Sequence, residues 1–376
     1  MKYIWQCEFW PELTWDSDAL LKLSGQARLA QGTFFGRVRH LGLNLGEDAQ
    51  SDLLVEEAIK TAEIEGERLN RQMVRSSVAR HLGLPAGGLV QSTRSIDGLV
   101  EVILDATQKS EEPLTDLRLK VWQAALFPAG HSGLHKIRTG QWRGNDPMRI
   151  VSGKVGREKI HFEAPPGEVV EAEMRKFLQW WEEGRNTMDG LLRAGLAHFY
   201  FVVIHPFEDG NGRIARALTD MALAQDEKSA SRYYSLSSQI MEEREEYYAA
   251  IEKCSTGKSP DVTSWLSWFL GCFKRSIERS DRIIGNVLAR ADFWQLHVQA
   301  ELSVRQKKVL NRMLEAGPGN FEGGLTTRKY TGIAKVSRAT AFREISDLLE
   351  KGILKQLPGR GRSVSYDLVW PSEGNR

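Results

Sequence analysis

The most constraining feature of this sequence is a proline that directly follows a long apolar run. Residues 188–204 (MDGLLRAGLAHFYFVVI) are apolar enough for a buried helix. Pro206 ends that helix because it lacks an N–H group and disfavours the αR conformation at the residue before it. A second helix is predicted over residues 213–225, where apolar side chains recur at helical spacing. His205 is therefore predicted at the end of a buried helix, and residues 210–212 form a loop that leads into the next helix.

The loop and the second helix have the composition of a phosphate-binding turn. Residues 210–212 are Gly-Asn-Gly, and they precede a helix N-terminus, where free backbone N–H groups and the helix dipole attract anions. Arg213 and Arg216 lie three residues apart, on one face of the first turn. Their planar guanidinium groups suit phosphate oxygens, so this stretch predicts a site for a polyphosphate.

Two further side chains beside this turn indicate chemistry. Asp209 is a hard oxygen ligand, of the kind that holds Mg²⁺ shared with water and phosphates. His205, with a reference pKa of about 6.5, can act as a general base near neutral pH. Base, metal ligand and phosphate loop together indicate transfer of a phosphorus-centred group to a hydroxyl.

Residues 205–216 (HPFEDGNGRIAR) match the signature HPFxDGNGRxxR at every fixed position, and the chain resembles the Fic family through it. Members of that family typically transfer AMP from ATP to a Ser, Thr or Tyr hydroxyl of a protein. The resemblance implies that His205 deprotonates the target hydroxyl, that Asp209 binds Mg²⁺ and that Phe207 anchors the loop. It also implies that the nucleotide phosphates are held by the turn and its arginines: Gly210, Asn211, Gly212, Arg213 and Arg216.

A helix is predicted over residues 52–71, ahead of the motif, with Thr61 and Glu65 four residues apart beside its apolar stripe. The run TAEIEG, residues 61–66, resembles the inhibitory pattern (S/T)xxxE(G/N) of Fic proteins, in which the Glu pairs with the second Arg of the motif. The resemblance implies that Glu65 pairs with Arg216, that the γ-phosphate then loses its ligand and that transfer is slow. The alternative is a solvated glutamate on a helix surface.

Between residues 140 and 166 the pattern changes from helical spacing to alternation. Two short alternating runs, residues 148–153 and 159–164, predict a β-hairpin. In the Fic family a hairpin at this place is a flap that docks the target segment by strand addition. The resemblance assigns that role to one strand of the hairpin: Arg149, Ile150, Val151 and Ser152.

Tyr247 and Tyr248 lie in a helix predicted over residues 237–254. In the family a Tyr pair here lies near the adenine, so the resemblance adds both residues to the nucleotide-binding set. The family has an Asn after the pair, whereas this chain has Ser255 near that place. Packing of the pair in the core is the alternative interpretation.

The last part of the chain predicts a separate domain. From Ser303 the order is helix, Gly/Pro break, short helix, turn, helix and two strand-like runs, which is typical of a winged helix-turn-helix. Side chains suited to base or phosphate contact lie on its recognition helix and wing tip: Arg338, Thr340, Arg343, Arg360 and Arg362. The expected partner is a protein, including a second copy of the chain in a homodimer, or else duplex DNA, which the acidic side chains further along the same helix disfavour: Glu344, Asp347 and Glu350.

Composition narrows the class of protein further. The 376 residues exceed one typical domain, and a net charge of +2 gives no overall field that favours nucleic acid or membranes. The three cysteines are scattered without metal-ligand spacing, which predicts reduced thiols in a cytoplasmic protein. The sequence has neither a signal-peptide pattern nor an apolar run of about 18 residues, so a soluble protein with no membrane partner is expected.

The predicted fold class is mostly α: a Fic-type helical core with a β-hairpin flap, plus a C-terminal winged helix-turn-helix. The predicted domains are residues 1–87, an N-terminal domain with the inhibitory helix; 88–299, the Fic catalytic core; and 300–376, the winged helix. The first of these resembles a small domain without assigned function that accompanies some Fic proteins.

The expected function is Mg²⁺-dependent transfer of AMP from ATP to a hydroxyl of a target protein, or of the chain itself, with autoinhibition by Glu65. Two alternatives belong to other classes. One is a DNA-binding regulator whose Fic core senses nucleotide. The other is an enzyme that mainly removes AMP from proteins, with Glu65 activating water.

Overall fold

The computed structural model describes residues 3–39, 43–84, 90–152, 159–256, 259–317, 321–358 and 364–370. The chain divides into two compact units, Met1–Ser280 and Asp281–Arg376, here the N-terminal and C-terminal units. Most described residues are helical, and the strands form two-stranded sheets, so the predicted mostly α fold class is confirmed. The three predicted domain ranges stay a prediction, and the limit placed near Gly87 lies outside the described residues.

The helices, in chain order, are α1 (Ser17–Val38), α2 (Leu43–Ile64), α3 (Arg71–His81), α4 (Arg94–Gln108), α5 (Asp116–Leu126), α6 (Val170–Glu183), α7 (Gly190–Ile204), α8 (Asn211–Glu227), α9 (Leu236–Glu242), α10 (Arg244–Ser255), α11 (Thr263–Leu296), α12 (Val304–Ala316), α13 (Thr327–Ala334) and α14 (Arg338–Glu350). Nearly all of α7 is buried because it is apolar on most of its faces. Most of α8 is buried as well, including charged side chains such as Arg216 and Asp220. α2, α4 and α5 pack on α8, and α6 packs on α7. No helix in the described ranges combines the length and apolarity needed to cross a bilayer.

The strands pair as three hairpins: β1 (His131–Ser132) with β2 (His135–Lys136), β3 (Arg149–Ser152) with β4 (Lys159–Glu163), and β5 (Leu354–Gln356) with β6 (Tyr366–Leu368). The middle pair is the predicted flap. It is antiparallel, with a register shift between Ile150 and Val151. The residues that join its two strands, 153–158, lie outside the described part of the chain.

The aromatic N-terminal segment is fastened to the rest of the N-terminal unit by two tryptophan side chains. Trp5 donates its indole N–H to the Glu163 carbonyl at 2.7 Å, beside the flap. Trp10 donates in the same way to the Glu173 carboxylate of α6, also at 2.7 Å. Each half-buried indole thus finds an acceptor, as is usual for tryptophans that pack against the body of a protein.

The C-terminal unit has its own apolar core, which includes Leu310, Met313, Tyr330, Ile345 and Leu368. Three helices precede β5 and β6, and Leu325 bridges to Tyr366 in antiparallel fashion. This order of elements is the one expected of a winged helix-turn-helix, but assignment to that class stays a prediction. The wing-tip residues Arg360 and Arg362 lie outside the described residues.

Candidate active site

His205 terminates α7 in the left-handed conformation, with φ 50° and ψ 58°. Pro206 follows it, so the helix ends where the sequence predicts. The His205 N–H donates to the Phe201 carbonyl at 3.0 Å, and Nδ1 lies 3.3 Å from the Val202 carbonyl oxygen. Because a carbonyl oxygen only accepts, Nδ1 carries the proton and Nε2 keeps a lone pair.

The surroundings of His205 favour its neutral form. Burial lowers the pKa of His205 below its ordinary value of 6.5, and the charge of Arg143 also lowers it. The bond to Val202 and the charges of Glu65 and Asp209 act in the opposite direction without cancelling the effect of burial. The imidazole is therefore neutral at pH 7 and can accept a proton.

The turn after His205 is anchored by Phe207, whose side chain is fully buried against Trp142, with ring centroids 4.8 Å apart. Asn211 locks the same turn. Its Oδ1 accepts from the Phe207 N–H at 2.9 Å, and its Nδ2 donates to the Phe207 carbonyl at 2.8 Å. The sequence predicts that Asn211 contacts the nucleotide. Because the side-chain amide faces the core, only the backbone of Asn211 is left for such a contact.

Both glycines of the turn are restricted by their surroundings. Gly210 has φ +90°, and a Cβ there would lie 2.9 Å from the ring of Phe127. A Cβ on Gly212 would lie 2.2 Å from Oε1 of Glu65, so this carboxylate rests against the first turn of α8. A helix N-terminus attracts anions through its free N–H groups and its dipole, and here the Glu65 carboxylate occupies that place.

Arg216 is the best-anchored cation of the site, with 3% of it exposed. Its Nη2 donates to Oε1 of Glu65 at 2.7 Å, and its Nε donates to Oγ1 of Thr61 at 2.6 Å. Nη2 also reaches the Thr61 carbonyl at 2.9 Å. Burial tends to raise the pKa of Glu65, but the charge and hydrogen bond of Arg216 outweigh it, so the net pKa is lowered. The structure thus brings Glu65 and Arg216 into contact as an ion pair.

The helix before Glu65 is shorter than predicted. α2 ends at Ile64, so the predicted helix over residues 52–71 is wrong at its C-terminal end. Gly66 adopts a positive φ of 85°, which glycine reaches without steric cost and which ends a helix. The N–H of Glu65 bonds to the Ala62 carbonyl at 3.1 Å in a tighter last turn. Glu65 therefore projects from a turn and not from a helix.

The segment that carries Glu65 is fastened to the rest of the N-terminal unit by Glu57 of α2. This buried carboxylate accepts from Oγ of Ser235 at 2.8 Å and from the N–H of Ser237 at 3.1 Å, at the start of α9. A carboxylate at a helix N-terminus is also favoured by the helix dipole. Glu57 thus fixes α2 at a second point, two turns before Glu65.

Arg213 has weaker partners than Arg216. Its Nη1 lies 3.3 Å from Oε2 of Glu67, whose side chain is 47% exposed, while that of Arg213 is 9% exposed. Its guanidinium also lies 4.7 Å above the Phe127 ring and 3.9 Å from the Asp209 carboxylate. Glu67 is not among the predicted site residues, because nothing in the local sequence pattern separates it from an ordinary surface glutamate.

Asp209 is positioned by a backbone and a side-chain donor. Its Oδ1 accepts from the Gly210 N–H at 2.5 Å, and Ser132 in β1, a strand that was not predicted, donates to Oδ2. The described residues contain no cluster of three or more acidic, His or Cys side chains able to hold a metal alone. Mg²⁺ is often bound by one or two carboxylates together with phosphates and water. With its side chain 39% exposed, Asp209 fits a Mg²⁺ that is shared with a nucleotide.

A cavity of about 720 Å³ opens beside these residues, within the size range of small-molecule sites. Its polar lining combines both charges, and it includes Glu65, Glu67, Asp209, Arg213 and Ser132. The residues on either side of the Gly-Asn-Gly turn, Asp209 and Arg213, therefore border a space large enough for a nucleotide.

The Tyr pair is divided between core and surface. The helix predicted over residues 237–254, which carries the pair, is in fact two helices, α9 and α10. Tyr247 is 3% exposed, and its hydroxyl lies 2.8 Å from Nε2 of the buried His198. Tyr248 is 42% exposed, and its hydroxyl donates to the Ile64 carbonyl at 3.4 Å. Core packing therefore describes Tyr247, and nucleotide contact by either tyrosine stays a prediction.

In the flap, Arg149 pairs across the hairpin with Glu163 at 2.7 Å. The N–H of Ala164 donates to the Met148 carbonyl at 3.0 Å and closes the base of the hairpin. The target-docking role of Arg149, Ile150, Val151 and Ser152 stays a prediction.

A helical core that holds a histidine at the end of one buried helix, and a glycine turn with two arginines at the start of the next, is the arrangement of a Fic domain. Residues 113–223 match the Fic/DOC family. The chain thus contains a Fic/DOC domain, as its motif predicts. Residues 3–84, which include Glu65, match a family described only as a domain of unknown function (DUF4172).

Two relatives carry a function in their names. The chain is 26% identical over 222 residues to "Protein adenylyltransferase Fic" of Nematostella vectensis, a match that covers 57% of this chain and 46% of the relative. It is 33% identical over 134 residues to "Protein adenylyltransferase fic-1" of Caenorhabditis elegans, with 35% of this chain and 25% of the relative covered. The chain thus spans less than half the length of these relatives.

Among solved structures, the crystal structure of a Fic family protein from Desulfovibrio desulfuricans G20 matches with a TM-score of 0.54. The match covers 97% of this chain and 99% of that chain, at 18% sequence identity. At this level of identity the match establishes a shared fold, and it supports the predicted Fic-type helical core.

Proposed function

We propose that this protein transfers AMP from ATP to a Ser, Thr or Tyr hydroxyl of a target protein, and that Glu65 restrains the reaction. The observation that carries the proposal is the carboxylate of Glu65 on Arg216, at the helix N-terminus where phosphates are expected. The names of the two adenylyltransferase relatives support the choice of reaction.

In the proposed reaction, the lone pair on Nε2 of His205 takes the proton of the target hydroxyl. The hydroxyl oxygen then attacks the α-phosphorus of ATP, and the bond from this phosphorus to the bridging oxygen of pyrophosphate breaks. Arg213, Arg216 and the N–H groups of the Gly-Asn-Gly turn hold the phosphates in line and stabilise the charge that develops on them. A Mg²⁺ held by Asp209 would neutralise charge on the departing pyrophosphate.

The restraint follows from competition for one guanidinium. Arg216 donates through Nη2 to Oε1 of Glu65 at 2.7 Å, so a γ-phosphate at this guanidinium would compete with the carboxylate. While Glu65 stays in place, ATP binds without that ligand and its α-phosphorus is not aligned for attack. The lowered pKa of Glu65 keeps its carboxylate ionised at neutral pH, so the pair persists there.

The target segment is proposed to add to the flap as a strand, with Arg149, Ile150, Val151 and Ser152 as the docking edge. Self-modification uses the same geometry with a hydroxyl of the chain itself. The three cysteines are all free and buried, which supports a cytoplasmic location.

Labelled ATP tests the proposal directly. The Glu65→Gly variant is incubated with cell lysate and ATP labelled at the α-phosphorus, and a parallel sample receives ATP labelled at the γ-phosphorus. AMP transfer places the α label on protein and leaves the γ label in pyrophosphate. Chelation of Mg²⁺, or Asp209→Ala, should remove the labelling.

The same experiment separates the alternative functions. A DNA-binding regulator that only senses nucleotide leaves no α label on any protein, and this outcome would contradict the proposal. An enzyme that mainly removes AMP releases the label from modified protein faster with Glu65 present than with Glu65→Gly.

A second candidate function, DNA binding by the C-terminal unit, is favoured by the orientation of α14. Its exposed first turns carry Arg338 and Arg343, in the part of a recognition helix that reads base edges. Glu344, which from sequence would oppose DNA, is 7% exposed and accepts from the hydroxyl of Tyr330 at 2.8 Å and from Arg305 at 2.9 Å. The acidic side chain is therefore turned into the unit. Phe342, 63% exposed on the same helix, favours a protein partner instead.

Binding of the full chain to mixed duplexes across salt concentrations decides between DNA and protein contact. A few phosphate contacts predict that log K falls with log salt by roughly 0.9 per contact. Arg343→Ala should reduce this binding, while Arg279→Ala, a paired surface arginine of α11, serves as the control. No binding at ~50 mM salt would exclude DNA and leave the C-terminal unit as a protein-docking or dimerising module.

A further inference from the structure

Arg143 is a buried cation that contacts three separate segments of the N-terminal unit. It lies in the loop before the flap, and 4% of it is exposed. Its backbone N–H donates to the Pro206 carbonyl at 2.9 Å, and its Nε donates to the His205 carbonyl at 2.8 Å. Its Nη2 donates to the Pro165 carbonyl, and its buried Nη1 has no hydrogen-bond partner among the described residues.

The bonds to His205 and Pro206 stabilise an unfavourable piece of backbone. His205 is in the left-handed region at φ 50°, which residues with a side chain seldom adopt. Carbonyl groups beyond a helix end have no helical N–H donor and need another partner. Arg143 supplies that partner to two consecutive carbonyls, one of them that of His205 itself.

The bond to Pro165 extends the same side chain to the flap. Pro165 comes two residues after β4, beside the Ala164 N–H that closes the base of the hairpin on Met148. The Arg143 guanidinium therefore connects the turn that contains His205 with the base of the β3–β4 hairpin. This hairpin is proposed to hold the target. No other side chain in the described ranges is recorded with bonds to both segments.

The burial of Arg143 is not explained by an ion pair. Burial lowers the pKa of its guanidinium, and no carboxylate of the described residues counters that effect. A buried charge without a counter-ion destabilises a fold, and apolar replacements of buried ionic groups are often neutral or stabilising. The bonds of its guanidinium to carbonyl groups of His205 and Pro165 thus point to a role in the geometry of the site.

Building on the AMP transfer proposed above, we propose that Arg143 is a positioning residue that fixes His205 relative to the flap. It touches neither nucleotide nor target. It holds the base where the hydroxyl of a docked segment arrives, so its loss should impair the chemical step and leave ATP binding largely unchanged.

The first test compares variants in the Glu65→Gly background by self-labelling from α-labelled ATP. Arg143→Met should reduce the rate at saturating ATP by about 10²-fold, as a misplacement of the base by about 1 Å would, with little change in the Kd for ATP. Arg143→Lys should recover part of the rate, because its ammonium keeps the charge and can reach one of the carbonyls. Arg138→Met, an exposed arginine paired with Glu208 beside the same turn, is the matched control and should label at the parental rate.

An unchanged rate in Arg143→Met would overturn the inference, and so would equal losses of rate and ATP affinity. If Arg143→Met does not fold, as judged by thermal unfolding, the Lys variant carries the comparison. Its rate should then lie well below that of the parent with the same Kd, and a parental rate would overturn the inference.

A crystal structure of Arg143→Met, or of Arg143→Lys if needed, gives a readout that needs no activity. The inference predicts that His205 leaves its present φ or that its ring moves relative to Pro165. An unmoved His205 over a closed hairpin base would overturn the inference even if labelling were absent. Failure of Glu65→Gly itself to label any protein would instead count against AMP transfer.

Discussion

The two ends of residues 205–216 are held by different parts of the chain. At the first end, His205 bonds to the last turn of α7 and to Arg143, so residues of the matched Fic domain fix the proposed base. At the other end, Arg216 donates to Thr61 and Glu65, which belong to the segment that matches the domain of unknown function. The contacts of His205 thus come from one matched domain, and the contacts of Arg216 come from the other.

This difference indicates that substitutions can affect His205, the proposed base, without affecting Arg216, the proposed phosphate ligand, and the reverse. The partners of His205 are backbone carbonyls and a buried cation, none of which a nucleotide would displace. The partner of Arg216 is a carboxylate in the place expected for phosphate, which a nucleotide must displace. Changes at the first end should therefore alter the rate of chemistry, and changes at the second end should alter the binding mode of ATP.

The largest expected effect is at the first end. His205→Ala in the Glu65→Gly background should reduce AMP transfer by ~10²- to 10⁴-fold, the usual cost of losing a general base. ATP affinity, measured by calorimetry, should change little because the imidazole lies outside the phosphate-binding turn. Labelling at the parental rate would show that His205 is not the base, and a large loss of ATP affinity would break the separation of the two ends.

The next effect is at the second end. Glu65→Gly should raise AMP transfer by roughly 10- to 100-fold, the equivalent of one hydrogen bond between charged groups. Self-labelling from α-labelled ATP is the readout. Glu63→Gly makes the same backbone change two residues earlier, at a glutamate that pairs with Lys60 on the surface, and it should not activate. Equal rates in Glu65→Gly and the parent would place control elsewhere.

The pH dependence should show how far the two ends interact. Because the pKa of His205 is lowered, its neutral form persists below pH 6.5, and transfer should fall on the acid side only below that value, about tenfold per pH unit. The charge of Glu65 raises the pKa of His205, so Glu65→Gly should move this limb to still lower pH. A limb above pH 6.5 in the pH–rate profile would contradict the assignment.

The smallest expected effect concerns Arg213. Glu67→Gln should increase ATP affinity by about two- to fivefold, because Glu67 is half exposed and such ion pairs contribute little. Glu63→Gln is the matched control for the loss of one negative charge nearby. An effect as large as that of Glu65→Gly would mean that both arginines are restrained equally, and the contrast between Arg213 and Arg216 would not hold.

The turn itself could be predicted from sequence because its causes are local. A proline ends a helix in any fold, so Pro206 predicts the end of α7. Phe207 lies between two buried helices, where a large apolar side chain is expected to be buried, as it is. The contact of Glu65 with Arg216 could be predicted only from the family resemblance, since residues 61–66 are a weak pattern by themselves. The predicted helix over residues 52–71 extends too far because helical spacing continues past Gly66 in the sequence, whereas the positive φ of Gly66 ends the helix.

Other parts of the site depend on contacts that sequence spacing does not reveal. Arg143 and Ser132 lie in loop and hairpin segments with no periodic pattern, and each meets the motif more than sixty residues along the chain. Asn211 has the polarity of a ligand-binding residue, but its amide bonds to the backbone of Phe207, four residues before it. Glu67 acquires its partner only because Gly66 turns the chain. In each case the tertiary fold, and not the residue type, decides the partner.

The close approach of Glu65 to Gly212 makes α2 and a bound nucleotide reciprocal competitors. If the Glu65 carboxylate lowers the affinity for ATP by some factor, bound ATP must destabilise the Glu65 turn by the same factor, since linkage between two ligands of one site is symmetric. The end of α2 should then exchange its amide hydrogens faster when ATP is bound than when it is absent. A higher ATP concentration would in this way make the end of α2, which lies outside the matched Fic domain, less ordered.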